Sequence, residues 1–212
     1  NSTILLIGPD LKEEYGTLYI RLRDAITNMG AKLIELTPIE TGLSNIATIS
    51  LRPRPGEIAK VVNSILTGEA PVEIGGVSKE SIQACHELIQ NTQINVVFAH
   101  HSIAESTEPI TQALTLLNEV PETKFLPLAK RANTIGALLM GMAPGQLPGQ
   151  ISLHDPSKTG LTGWPNLPEH EGKTTDQILE SAANEEIDVL FLLGADPLSD
   201  YRNPELAKRA LE

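Results

Sequence analysis

The stretch IDVLFLLGADPLSDYRNPELAKRALE, residues 187–212, decides the fold that the sequence predicts. Its apolar run at residues 189–193, with Ile187 just before, favours a short strand that is buried on both faces. Such strands are typical of a parallel sheet covered by helices. The loop that follows the strand begins with Gly194, Ala195 and Asp196, and a helix capped by Asn203 comes next.

A similar unit begins the chain. Residues 3–8 predict a strand, whose apolar part breaks at the loop Gly8, Pro9 and Asp10, and a helix is expected over about 14–29. Ligands of open parallel sheets bind beyond the carboxyl ends of the strands. The loops at Gly8 and at Gly194 are therefore the places where a nucleotide or a cofactor would be held.

The rest of the chain alternates strands with helices. Further strands are expected at 31–36, 46–51, 94–99 and 124–127, with helices at about 57–67, 78–91, 131–140 and 174–184 and another that ends near 119. This order predicts an α/β fold with Rossmann-like parallel sheets and helices on both faces. A loop at 68–77 suggests two subdomains, 1–70 and 78–212.

Residues 141–173 interrupt the pattern, because proline and glycine recur throughout them. A structureless loop of this length is unusual within a compact domain, and it is often a lid or a docking segment. We predict a long irregular loop that covers or docks against a neighbour, with Trp164 and three leucines as apolar anchors. These leucines are Leu147, Leu161 and Leu167.

Composition excludes several classes of protein. The formal net charge of −11 disfavours binding to nucleic acid. No run of about 18 apolar residues is present, so no insertion into a membrane is expected. The single cysteine, Cys85, can form neither an internal disulfide nor an iron-sulfur cluster by itself, and its helical context predicts a small core residue. Both ends suggest a fragment of a longer polypeptide.

Other candidate sites are weak. His100 and His101 follow a strand, but adjacent histidines cannot easily bind one metal ion. The pairs His154-Asp155 and His170-Glu171 match no structural zinc spacing. The basic residues fit a solvated face better than an anion site; they are Arg52, Arg54, Lys130 and Arg131. Because no dinucleotide fingerprint, Walker loop or Ser-His-Asp order is present, we assign no catalytic residue and no metal ligand.

Three long stretches resemble one family, in order along the chain. They are ILLIGPDLKEEYGTLYIRLRDAITNMGAKLIELTP, KRANTIGALLMGMAPGQLPG and VLFLLGADPLSDYRNPELAKRALE. They are similar to the molybdopterin oxidoreductases and, more closely, to the G-subunit (75-kDa) type of NADH-quinone oxidoreductase, respiratory complex I. The resemblance covers nearly the whole chain.

The resemblance implies a scaffold domain in the electron-transferring peripheral arm, on the cytoplasmic side of the membrane. Cofactor-binding members hold a molybdenum or tungsten bis-pterin guanine dinucleotide between α/β subdomains, whereas the complex I domain is taken to have lost it. The iron-sulfur clusters would be held elsewhere in the full-length chain. The implied partners are other domains of the same subunit and other peripheral-arm subunits.

One sequence difference from the cofactor-binding members bears on whether this chain holds the cofactor. After the second strand those members carry an acidic residue and then Pro-Arg, whereas this chain has Thr37, Pro38 and Ile39. The expected strand-end site is therefore vestigial, and it comprises Gly8, Pro9, Asp10, Thr37, Gly194, Ala195 and Asp196. Two alternatives stay open, namely a pterin-nucleotide-binding domain of a formate-dehydrogenase-like enzyme and an unrelated small-molecule-binding module.

Overall fold

The computed structural model describes residues 2–90, 92–99, 107–155 and 166–212. It divides into two compact units, Asn1–Leu128 and Ala129–Glu212. The sequence analysis placed a boundary at 68–77 instead, yet strands from both sides of that stretch belong to one sheet. His100, His101, Leu161 and Trp164 lie outside the described residues.

A five-stranded parallel sheet forms the centre of the first unit. Its strands are β1 (Ser2–Ile7), β2 (Lys32–Leu36), β3 (Ile49–Leu51), β6 (Gln93–Phe98) and β7 (Lys124–Pro127), in the order β3-β2-β1-β6-β7. The short strands β4 (Glu73–Ile74) and β5 (Val77–Ser78) form a separate antiparallel hairpin. In the central register Ile7 lies opposite both Leu36 and Phe98, so three carboxyl ends meet at one edge.

Helices cover both faces of this sheet, as the α/β prediction requires. One face packs against α3 (Ile58–Thr67), α4 (Lys79–Ile89) and α5 (Glu108–Asn118), and the other packs against α1 (Leu11–Glu14) and α2 (Gly16–Thr27). Alternate residues of β1 serve the two cores, with Leu5 and Ile7 on the first face and Ile4 and Leu6 on the second. The Rossmann-like α/β class is confirmed.

The second unit contains short elements. They are α6 (Thr134–Leu139), the hairpin β8 (Gln146–Leu147) and β9 (Ile151–Ser152), and the helices α7 (Thr175–Ala183), α8 (Pro197–Asp200) and α9 (Pro204–Leu211). The hairpin lies in the stretch predicted to be irregular, where Leu147 is buried. In neither unit does the described chain include a helix long and apolar enough to cross a bilayer.

Three predicted helix starts are confirmed by their caps. The Ser78 hydroxyl accepts a hydrogen bond from the backbone N–H of Ser81. Thr174 and Gln177 form a reciprocal capping box at the start of α7. Asn203 caps α9, with a proline in its first turn.

The first predicted helix differs from the structure, because the region 11–27 is two helices rather than one. Tyr15, with φ −138° and ψ 56°, ends α1 and begins α2. The side chain of Asp10 accepts from the N–H of Lys12 and starts the short helix one turn earlier than the apolar spacing indicated. Local capping therefore overrides the helical periodicity at this point.

The strand predicted at 189–193, with Ile187 just before it, is not formed in the described structure. These residues have no strand partner, and Val189, Phe191 and Leu193 are 80%, 83% and 86% exposed. A strand exists only where a neighbouring strand accepts and donates its backbone hydrogen bonds. The only strands described in the second unit are β8 and β9, each of two residues. Among its described residues, the apolar run therefore has no neighbouring strand to form hydrogen bonds with.

We predict that Gly68→Ala destabilises the first unit. Gly68 ends α3 with φ 74°, and an added Cβ would lie 2.9 Å from the His86 ring, which is held by its contact with the carbonyl of Ile65. We expect a loss of at least about 1 kcal/mol in the free energy of unfolding, measured by urea denaturation. Gly16→Ala is the control, because nothing lies within 4 Å of its Cβ position. Equal effects would contradict the prediction.

Candidate functional site

The strand-end loops after β1 and β2 are bonded to each other. The carboxylate of Asp10 accepts two hydrogen bonds from the backbone N–H of Gly42, with its oxygens at 3.2 and 3.1 Å, and one from Lys12 at 2.9 Å. Gly42 has little room, since an added Cβ would lie 2.9 Å from the Lys12 side chain. The carboxylate of Asp10 in the loop after β1 therefore holds the loop after β2 in place at the sheet edge.

The other residues predicted near this edge are largely closed off. Gly8, Pro9 and Thr37 are buried, and Gly8 packs against Ala99, whose N–H donates to the carbonyl of Ile7. The backbone N–H of Thr37 extends the pairing of β2 by donating to Leu51 at 3.3 Å. Its buried hydroxyl has no hydrogen-bond partner among the described atoms. This edge offers few groups to a ligand.

The second predicted loop belongs to the other unit. Gly194, Ala195 and Asp196 are exposed, and Gly194 has φ 63°. Asp196 caps α8, since its carboxylate accepts from the N–H of Leu198 at 3.2 Å and from the hydroxyl of Ser199 at 2.7 Å. No strand precedes this loop in the described structure, so it is a helix-capping loop there rather than a strand-end loop.

The most organised polar cluster was not predicted from the sequence. Glu35 is fully buried within β2, and its carboxylate accepts hydrogen bonds from the hydroxyls of Thr41, Ser44 and Ser50, the last two at 2.8 and 2.5 Å. The guanidinium of Arg52 lies 3.4 Å from the same carboxylate and also donates to Ser50 and Ser44. We call these five residues the Glu35 cluster.

The Glu35 cluster is a structural site. A buried carboxylate needs partners because removal from water is costly, and here three hydroxyls and one cation supply them. Its acceptor sites are directed at the protein, so Glu35 is not available as a base or a ligand. Arg52 was predicted to lie on a solvated face, but it is half-buried and paired, which corrects that prediction. An acidic residue within the apolar run KLIEL was the signal that sequence reasoning overlooked.

Among the described residues, the remaining candidates do not assemble a reactive or metal-binding site. His154 contacts Glu171 at 2.7 Å on the surface, and Arg54 pairs with Glu73 at 2.8 Å. Over the described residues, no three histidine, cysteine or acidic side chains cluster in a way that could hold a metal ion. Cys85 is buried in the core as predicted, and burial raises the pKa of its thiol to about 12.

The parallel sheet and its edge loops define a Rossmann-like α/β domain, and comparisons narrow the class. The chain is similar to the G subunit of NADH-quinone oxidoreductase from Streptomyces coelicolor, with 26% identity over 214 residues, 99% of this chain and 24% of the relative. It is similar to the G subunit numbered 2 of the same enzyme from Rhizobium meliloti, with 27% identity over 236 residues, 98% of this chain and 27% of the relative. No protein-family model matches the chain.

The chain is also similar to a protein with a different name. Formate dehydrogenase H of Escherichia coli is 24% identical over 186 residues, 82% of this chain and 26% of the relative. The chain thus resembles the G subunit of NADH-quinone oxidoreductase over nearly its whole length, and its relatives support an oxidoreductase family. It spans about a quarter of the length of the curated relatives it matches.

We predict that Arg52→Ala destabilises the first unit more than Arg54→Ala does. Arg52 compensates a fully buried carboxylate, whereas Arg54 and Glu73 are 68% and 52% exposed. Removing a charged donor from a buried acceptor costs about 1.5–3 kcal/mol, and removing an exposed pair costs about 1 kcal/mol or less. Urea denaturation of the two variants measures the difference. Indistinguishable midpoints would show that the Glu35 cluster does not depend on its cation.

We predict that Cys85 resists thiol reagents in the folded chain. At pH 8 a thiol with a pKa of about 12 is almost entirely protonated, and its burial excludes the reagent. Labelling with dithionitrobenzoate should be negligible in buffer and complete in urea. Between pH 9 and 12 the unfolded thiol loses its proton while the folded one keeps it, so stability should fall with rising pH. Rapid native labelling would contradict this burial.

Proposed function

We propose that the chain is a scaffold domain of a subunit of the NADH-quinone oxidoreductase G type, and that it does not hold a molybdopterin cofactor. The observation that carries the proposal is the bond between Asp10 and Gly42. It ties the loop after β1, where a nucleotide would be held, to the loop after β2, and it places a carboxylate where a pyrophosphate would need a cation or free N–H groups.

The described residues do not fit the guanine dinucleotide of such a cofactor. The acidic residue that would bond to ribose hydroxyls is replaced by Thr37, which is buried, and the expected arginine is replaced by Ile39. Glu35 lies two residues before Thr37 in the sequence, and Arg52 follows Leu51, whose carbonyl accepts from the N–H of Thr37. Both are bonded within the Glu35 cluster, so neither substitutes for the missing groups.

The scaffold proposal extends to the whole protein by similarity. The curated relatives include subunits of NADH-quinone oxidoreductase, so the proposed partners are other domains of the same subunit and other subunits of the peripheral arm. The proposed location is the cytoplasmic side, peripheral to the membrane. Iron-sulfur clusters would be held elsewhere in the full-length chain, since a single buried cysteine cannot ligate one.

One observation favours a second candidate function. The similarity to formate dehydrogenase H covers 82% of this chain. In that case the chain would be part of a molybdopterin guanine dinucleotide-binding domain, and its loops would have to change position to admit the cofactor. The Asp10–Gly42 bond disfavours this alternative because it would have to break.

We expect the full-length protein, purified from its own host, to contain iron but no stoichiometric molybdenum or tungsten. Metal analysis by mass spectrometry measures this directly. We also expect no tight binding of GDP by calorimetry. Loss of two charge-assisted hydrogen bonds at about 1.5–3 kcal/mol each weakens affinity by roughly 100-fold or more.

Two results would favour the cofactor-binding alternative. One is a molybdenum or tungsten content near one per subunit. The other is a low micromolar dissociation constant for GDP that is weakened by a substitution in the Gly8 loop but not by Val72→Ala, a control at an exposed site in the same unit.

A further inference from the structure

The apolar segment 189–193 is exposed on both of its sides. Val189, Phe191 and Leu193 would point one way in an extended chain and Leu190 and Leu192 the other, and the first three are at least 80% exposed while Leu192 is 41% exposed. A two-sided apolar run is typical of a central strand in a parallel sheet. Scattered apolar residues on a surface need no explanation, but four exposed ones within five successive positions do.

The elements that flank this segment are well formed. α7 before it starts with a complete capping box, and α9 after it starts with an asparagine cap and a proline. Asp176 at the start of α7 accepts hydrogen bonds from the hydroxyl of Tyr201 at 2.7 Å and from Arg202 at 2.6 Å, just before α9. The exposed run is therefore held between ordered helices.

The two flanking helices also pack against each other. Leu179 of α7 and Ala207 of α9 are buried, and the helices are in direct contact. In a parallel α/β layer, the helix before a strand and the helix after it become neighbours when both cross the same face of the sheet. The helical layer of such a unit is present here, and the sheet that it would cover is absent from the described residues of the second unit.

We propose that residues 189–193 form a strand of a second parallel sheet, whose neighbouring strands come from other segments of the same, longer polypeptide. The partner is thus an apolar parallel strand on each side of the segment. The curated relatives are about four times as long as this chain, which leaves ample sequence to supply such strands. The inference rests on the proposed membership in a longer subunit, but not on whether a cofactor binds.

A second copy of this chain fits the segment less well. Two identical strands related by a two-fold axis in a sheet run antiparallel, and such a pair leaves one edge of each strand unpaired. The net charge of −11 also opposes association of copies. Parallel strands on both edges satisfy the backbone groups of the segment, and the helices that cover such a sheet bury both of its apolar faces.

Hydrogen exchange in the full-length polypeptide tests the proposal. We expect the amides of residues 189–193 to exchange at least about 100-fold more slowly than an unstructured peptide of the same sequence, at all protein concentrations. Fast exchange would overturn the proposal. Protection that appears only at high concentration, with a dimer seen in sedimentation, would overturn it in favour of a second copy.

A matched pair of variants in the full-length polypeptide provides a second test of the proposed strand. Phe191→Asp and Val72→Asp place the same charge at positions that are 83% and 87% exposed in this structure. We expect Phe191→Asp to abolish the protection of 189–193 or the yield of folded protein, while Val72→Asp leaves both unchanged. Equal tolerance of the two substitutions would overturn the proposal. Metal content is measured separately, so failure of this inference and failure of the scaffold function are distinguishable.

Discussion

The buried carboxylate of Glu35 is the constraint on which the arrangement of the sheet edge depends. It lies inside β2 with no solvent access, and its burial is tolerable only while its hydrogen-bond donors stay in place. Two of these donors, Thr41 and Ser44, belong to the loop that follows β2, and two, Ser50 and Arg52, belong to β3 and its end. One acidic residue therefore fixes both the path of the loop and the position of the edge strand.

The same loop carries Gly42 to Asp10, so the Glu35 cluster and the loop after β1 are linked. Asp10 bonds to the backbone of Gly42, and the next residue along, Leu43, is buried in the core beneath α1 and α2. A ligand at this edge would have to displace a loop that is anchored on both sides by carboxylates. This linkage explains how a sheet of a ligand-binding type can serve a structural role in the proposed function.

Much of the fold was predictable because its signals are local. Apolar runs marked β1, β2, β6 and β7, and caps such as Ser78 and Thr174 marked helix starts. The Glu35 cluster was not predictable in this way, because it depends on which hydroxyls the loop brings to the strand. At the candidate site, the loops at Gly8 and Thr37 do meet at one edge. The Gly194 loop follows no strand in the described structure, because a strand forms only where neighbouring strands pair with it, and an apolar run does not reveal whether such neighbours are present.

The strand order β3-β2-β1-β6-β7 has a consequence for biosynthesis. Among the five strands of this sheet, β1 is synthesised first and is also the central one, and it can pair with β2 as soon as Leu36 has emerged. Its other edge stays unpaired until β6, which ends at Phe98, has been synthesised. At a translation rate of about 5–20 residues per second this interval lasts roughly 3–12 seconds. During that time the nascent chain presents an open, apolar strand edge, which makes the central strand the most vulnerable to mispairing while the protein is being made.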